Sequence, residues 1–158
     1  MDDPFIREIP LYNEPFVFYG EKTTAPGNKA ALHPKDVEKL DGLWLLDSEH
    51  CFRNQVLNIC SPSTKKKHIH FQSGSIETLK KMVDRYGGFT LIPEMAYTQH
   101  KTGKVVHFSE PKPIREVSIV VTRGFVKEGL INAIRKEILK IIPSHFEKNT
   151  RFIKMKWR

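Results

Sequence analysis

Three observations predict an α/β fold with a largely parallel sheet. Short runs of β-forming residues alternate with helical patterns along the 158 residues. One helical pattern places Ile76, Leu79, Met82, Val83 and Tyr86 on a single face, closes at Gly87-Gly88 and leads straight into the apolar run Phe89 to Ile92. A long C-terminal pattern from Phe125 to Ile142 carries a broad apolar face of Leu130, Ile134, Ile138 and Ile141. A chain of this length makes one ordinary domain or two small lobes, with enough apolar residues to bury a core.

From the N-terminus, Ile6 to Tyr12 and Pro15 to Tyr19 read as two extended segments, the second dense in β-formers. A Gly, Pro, Asn and Thr-rich loop follows from Gly20 to Asn28. His33-Pro34-Lys35-Asp36 opens a short helix, and Leu43-Trp44-Leu45-Leu46 reads as a buried strand. Asp47-Ser48 then feeds an amphipathic helix from Glu49 to Cys60, with Ser48 as its N-cap. His68 to Phe71 is the next strand, and Gly74-Ser75 starts the helix that ends at Gly87-Gly88. Pro93 is expected as the first residue of a helix through Tyr97. Val105 to Phe108 and Val117 to Val121 complete the strands before the C-terminal helix.

Composition narrows the class of function. No run approaches the length of a membrane span, and Met1-Asp2-Asp3-Pro4 carries two acids where a secretory leader would be basic. The expectation is a cytoplasmic protein without membrane contact, whose cysteines rest as thiols. The formal net charge of +8 invites a nucleic-acid reading through Lys65-Lys66-Lys67-His68 and the tail residues Arg151, Lys154, Lys156 and Arg158. The lysine run lies in a Pro/Ser/Thr-containing stretch between two elements, however, and reads as a solvated loop.

The two cysteines, Cys51 and Cys60, carry the most chemistry. Nine helical residues separate their Cα atoms by about 13 Å along the axis and about half a turn around it. A disulfide needs Cα atoms about 4.4 to 6.8 Å apart. They are therefore either two unrelated buried thiols or the two ends of a redox switch whose helix unwinds. At the helix start, backbone N–H groups and the neighbouring His50 and Arg53 would draw the Cys51 thiol below its usual pKa of about 8.5. Phe52, Val56 and Cys60 recur every four residues, which puts Cys60 on the core-facing stripe. In the switch reading, peroxide converts Cys51 to a sulfenic acid, which condenses with Cys60. A zinc site using His68 and His70 with the cysteines matches no known spacing, so no metal and no cofactor are expected.

The segment Glu49-His50-Cys51-Phe52-Arg53-Asn54-Gln55, with Cys60 nine residues after Cys51, resembles the redox helix of the peroxide-sensing members of the LysR-type transcriptional regulators. Ile9 to Phe16 resembles the strand entering the second lobe of that family's regulatory domains. Ser75 to Val83 followed by Gly87 to Pro93 resembles the family's most recognisable stretch. The resemblance runs from Phe5 to Phe146 and implies a periplasmic-binding-protein-like regulatory domain, the second lobe plus part of the first. It implies a partial first lobe over residues 1–19, a second lobe over 20–115, and a return to the first lobe with the C-terminal helix over 116–158.

The same resemblance makes Cys51 peroxidatic and Cys60 resolving, with His50, Arg53 and His70 around the sulfur and Arg123, or the adjacent Thr122, helping to bind peroxide. The implied partners are hydrogen peroxide, a cytosolic thiol reductant, and copies of the same chain in a dimer or tetramer. The family's winged helix-turn-helix, linker helix and first half of lobe one have no counterpart in these residues, so DNA would be contacted only through a missing N-terminal domain. Apolar edges on Phe16 to Tyr19 and on the C-terminal helix are expected to favour association.

Two rival readings stand beside the sensor. In an effector-binding domain of the same family, Ser73, Gly74 and Ser75 would hold an anionic ligand at a helix N-terminus facing the interlobe cleft; the same turn reads more readily as a simple helix cap. In a thiol peroxidase, Cys51 and Cys60 would turn over with an external reductant, but each cycle would require the helix to unfold and refold. The chain is therefore expected not to be an enzyme.

Overall fold

The computed structural model describes residues 3–20, 30–47, 51–60, 68–70, 74–97, 105–146 and 152–155, with Cys51 and residues 68–70 described by their backbone alone. The chain divides into two compact units: Met1–Glu14 with Glu116–Asn149, and Pro15–Arg115 with Thr150–Arg158.

The larger unit is built on one mixed sheet. Its strands are the second part of β1 (Ile6–Gly20), β2 (Ala31–Leu32), β3 (Leu43–Leu45), β4 (His68–His70), β5 (Phe89–Pro93) and β6 (Val105–Phe108), in the order β2-β6-β1-β5-β3-β4. The expectation of a largely parallel sheet holds on the flanks, where β2 pairs with β6 and β3 with β4 and β5 in parallel. It fails at the centre, where β1 runs antiparallel to both β5 and β6. The two extended segments expected at the N-terminus are one continuous strand of 15 residues. Further on, β7 (Lys112–Thr122) pairs with β1, and β8 (Phe152–Lys154), which no sequence signal marked, pairs in parallel with the start of β7.

The core of this unit gathers on the central strands. Phe16, Val17 and Phe18 are fully buried, so the exposed edge expected at Phe16 to Tyr19 is instead the middle of the sheet, flanked by β5 and β6. Phe18 stacks on Phe89 with ring centroids 5.1 Å apart. The helix α3 (Ile76–Tyr86) packs on β5 and β3 through buried Leu79 and Val83. Its ends are well made: the Ser75 hydroxyl accepts the Thr78 N–H, and the Gly87 N–H donates to Val83 at 3.0 Å. Gly87 and Gly88 both have positive φ, and a Cβ on Gly88 would collide with the carbonyl of Gly42 and the indole of Trp44. The helix expected from Pro93 to Tyr97 is a single 3-10 turn over Glu94–Ala96, because Pro93 still pairs in β5 opposite Phe16.

The smaller unit holds the first part of β1, the later part of β7 and α4 (Glu128–Ile141). The Arg123 N–H donates to the Phe5 carbonyl at 2.9 Å, Arg7 pairs with Glu128, and the Tyr12 and Phe146 rings lie 6.2 Å apart. The C-terminal helix begins three residues later than expected. Its expected apolar face is largely open, as an apolar edge on this helix requires. Ile131 is the buried side chain, whereas Leu130, Ile134 and Ile141 are exposed and Ile138 is half-buried.

Candidate functional site

The helix that bears the cysteines, α2 (Cys51–Ile59), follows β3 closely and lies wholly within the larger unit. Its core face is as the four-residue recurrence predicts. Phe52, Val56 and Cys60 are buried, joined by Ile59 one residue before Cys60. Phe52 meets Phe16 of β1, with ring centroids 5.6 Å apart. The Cys60 N–H donates to the Val56 carbonyl at 3.1 Å, so helical bonding runs through to the second cysteine. Cys51 and Cys60 thus occupy opposite ends of one wound helix, the backbone arrangement that a disulfide between them cannot tolerate.

Cys60 is a buried thiol. Loss of water around it, and secondarily the carboxylate of Glu38, push its pKa from 9.0 up to about 12. At neutral pH such a sulfur is a thiol, not a nucleophile, until it is exposed. Nothing in the sequence marked Glu38 as a neighbour. It belongs to the end of the short helix α1 (Pro34–Val37), which His33 opens by accepting the Lys35 N–H while the Asp36 carboxylate accepts the His33 N–H.

The remaining candidates scatter. Arg53 is half-buried and donates through Nη1 to the Leu46 carbonyl at 2.8 Å, fastening the first turn of α2 to the end of β3. His70 lies on β4, paired with Leu45, so the backbone of its strand runs beside β3. His50 and the expected cap Ser48 fall outside the described residues, as does Ser73. Gly74 and Ser75 are exposed, and the Ser75 hydroxyl is engaged by Thr78 as a helix cap. Arg123 and Thr122 are exposed at the end of β7, in the smaller unit. Among the described residues no group of three or more His, Cys, Asp or Glu could hold a metal ion, and no helix is long and apolar enough to cross a membrane.

Residues 2–140 match the LysR substrate binding domain. The hydrogen peroxide-inducible genes activator of Haemophilus influenzae is 32% identical over 144 residues, covering 85% of this chain and 47% of that protein. The DNA-binding transcriptional dual regulator OxyR of Escherichia coli K12 is 27% identical, covering 89% and 47%. The chain therefore spans about half the length of the curated relatives it matches. Among solved structures, the reduced OxyR regulatory domain of Pseudomonas aeruginosa superposes with a TM-score of 0.72 at 29% identity, over 87% of this chain and 67% of that one. Reduced OxyR of Porphyromonas gingivalis has the same fold, with a TM-score of 0.78 at 24% identity over 97% of this chain and 72% of that one.

Proposed function

Because the chain belongs to the LysR substrate-binding-domain family, we propose that it is the redox-sensing part of a peroxide-responsive LysR-type transcriptional regulator, switched by a reversible Cys51–Cys60 disulfide. The observation that carries this reading is the burial of Cys60 at the far end of α2 from Cys51. Reduced and wound, the helix keeps the sulfurs apart. Crosslinked, it cannot stay wound, so one bond separates two conformations.

The chemistry balances with peroxide alone as oxidant. The Cys51 thiolate attacks one peroxide oxygen; an S–O bond forms, the O–O bond breaks, and the departing hydroxide leaves as water after taking a proton. The Cys60 thiolate, exposed by unwinding, then attacks the sulfenic sulfur; the S–S bond forms and a second water leaves. Two thiols and one peroxide yield one disulfide and two waters. We infer that His50, Arg53 and His70 surround the reacting sulfur, and a cytosolic thiol reductant resets the switch.

In this reading the larger unit is the second regulatory lobe and the smaller unit belongs to the first. DNA is contacted through the half of a relative-length protein that this chain does not match, and peroxide signals through the arrangement of a dimer or tetramer. Among the described residues of the turn assigned to the effector-binding alternative, the Ser75 hydroxyl is engaged as a helix cap, accepting the Thr78 N–H.

The test is intact mass with non-reducing peptide mapping after brief micromolar hydrogen peroxide. Loss of two hydrogens with a Cys51–Cys60 crosslink, absent in Cys60→Ser, supports the switch. Absence of mass change overturns it, and sustained peroxide turnover makes the chain a peroxidase instead.

A further inference from the structure

The two longer helices of the larger unit are built very differently. α3 has a serine N-cap, Glu77 in its first turn, Arg85 in its last turn and a glycine at its C-cap. Each of these stabilises a helix locally, and the charges oppose the macrodipole in the favourable sense. α2 has no acid in its first turn and no base in its last. Its sequence, Cys-Phe-Arg-Asn-Gln-Val-Leu-Asn-Ile, is rich in poor helix formers and contains no alanine. Nine residues is also well short of the roughly 12 to 15 at which an isolated helix becomes marginally stable. What holds α2 wound is the Arg53 bond to Leu46 together with its packing, and the largest apolar side chain in that packing is Phe52, seated against Phe16.

We propose that α2 opens and closes as a local unit in the reduced protein, with Phe52 as the latch. Its seating against Phe16 sets how often Cys60 is exposed, and so how fast a disulfide can close. Phe52 is a positioning residue and takes no part in bond making. The consequence for the switch rests on the redox reading above, but the opening does not, because it occurs without peroxide.

The experiment reports Cys60 alone. In a Cys51→Ser background without denaturant, labelling of Cys60 by N-ethylmaleimide is timed by mass spectrometry. Phe52→Ala is expected to speed labelling about a hundredfold, with Phe52→Leu in between, in proportion to the packing lost from a buried aromatic site. The comparison variant is Leu79→Ala, which opens a similar hole under α3 and lowers global stability. It is expected to lower the urea midpoint but leave labelling near the parent rate.

Equal acceleration by Leu79→Ala and Phe52→Ala would mean that Cys60 is exposed only by global unfolding, and the latch would fall. So would unchanged labelling in a folded Phe52→Leu variant, with folding checked by circular dichroism. A protein that forms no crosslink with peroxide while Phe52→Leu still accelerates labelling would overturn the sensor reading and keep the latch.

Discussion

Arg53 Nη1 stands 2.8 Å from the carbonyl oxygen of Leu46, so the first turn of α2 is fastened to the end of β3 by a charged donor. A guanidinium bonded to a carbonyl at a half-buried position is worth about 1 to 2 kcal/mol. Arg53→Met keeps the apolar stem and removes the donor. It is expected to lower the unfolding free energy by about that amount, read as a fall in urea midpoint at constant slope. An unchanged midpoint would show that water replaces the bond without cost.

The Cys60 thiol gives stability a pH dependence of known sign. Its pKa in the fold is raised from 9.0 to about 12, so the fold disfavours the thiolate. The contribution is complete below pH 9 and is lost as pH rises towards 12, at up to about 1.4 kcal/mol per pH unit. Stability of the reduced protein is expected to decline over that window, and less so in Cys60→Ala. Tyr19, whose hydroxyl donates to Asp84 and whose pKa is also raised by burial, declines alike in both proteins and cancels in the difference.

Gly88 combines a positive φ with backbone pressed against Gly42 and Trp44. Gly88→Ala is expected to cost about 2 to 4 kcal/mol from strain and collision together, seen as a large drop in melting temperature. Gly87→Ala has the strain without the collision and is expected to cost clearly less.

On α4, neighbouring positions are expected to respond in opposite ways. Ile134 is exposed, so Ile134→Asp should change stability by no more than about 0.5 kcal/mol. Ile131 is buried, and Ile131→Asp should lose several times as much by burying a carboxylate without solvent. Equal effects in chemical denaturation would place the core face of α4 elsewhere.

These contrasts show what the sequence made legible. The alternation of strands and helices, the α3 pattern with its closing glycines and the core stripe of α2 were all readable, because each is a local periodicity with its own punctuation. The direction of β1 was not. An antiparallel strand buried between β5 and β6 has the same composition as a parallel one, and only the long-range register of Phe16 with Pro93 decides it. The apolar face of α4 was readable, but its apolar residues cover more of the helix than the fold buries, so periodicity alone did not single out Ile131 as the buried one. At the candidate site, the family resemblance and the cysteine spacing pointed to α2. The Arg53 bond to Leu46 and the nearness of Glu38 to Cys60 join residues that no sequence pattern links.

Trp44 has a bearing on spectroscopy. Its indole N–H donates to the Gly87 carbonyl at 2.9 Å and its ring lies 6.3 Å from that of Tyr86, so neither of these partners belongs to α2. With Trp157 replaced by phenylalanine, the intrinsic emission of the protein comes from this single buried indole. Unwinding confined to α2 leaves these two contacts in place, whereas melting of the α3 junction breaks both and shifts the emission red. The chain thus contains a fluorophore that distinguishes a local rearrangement from loss of the fold, in the same cuvette and without a label.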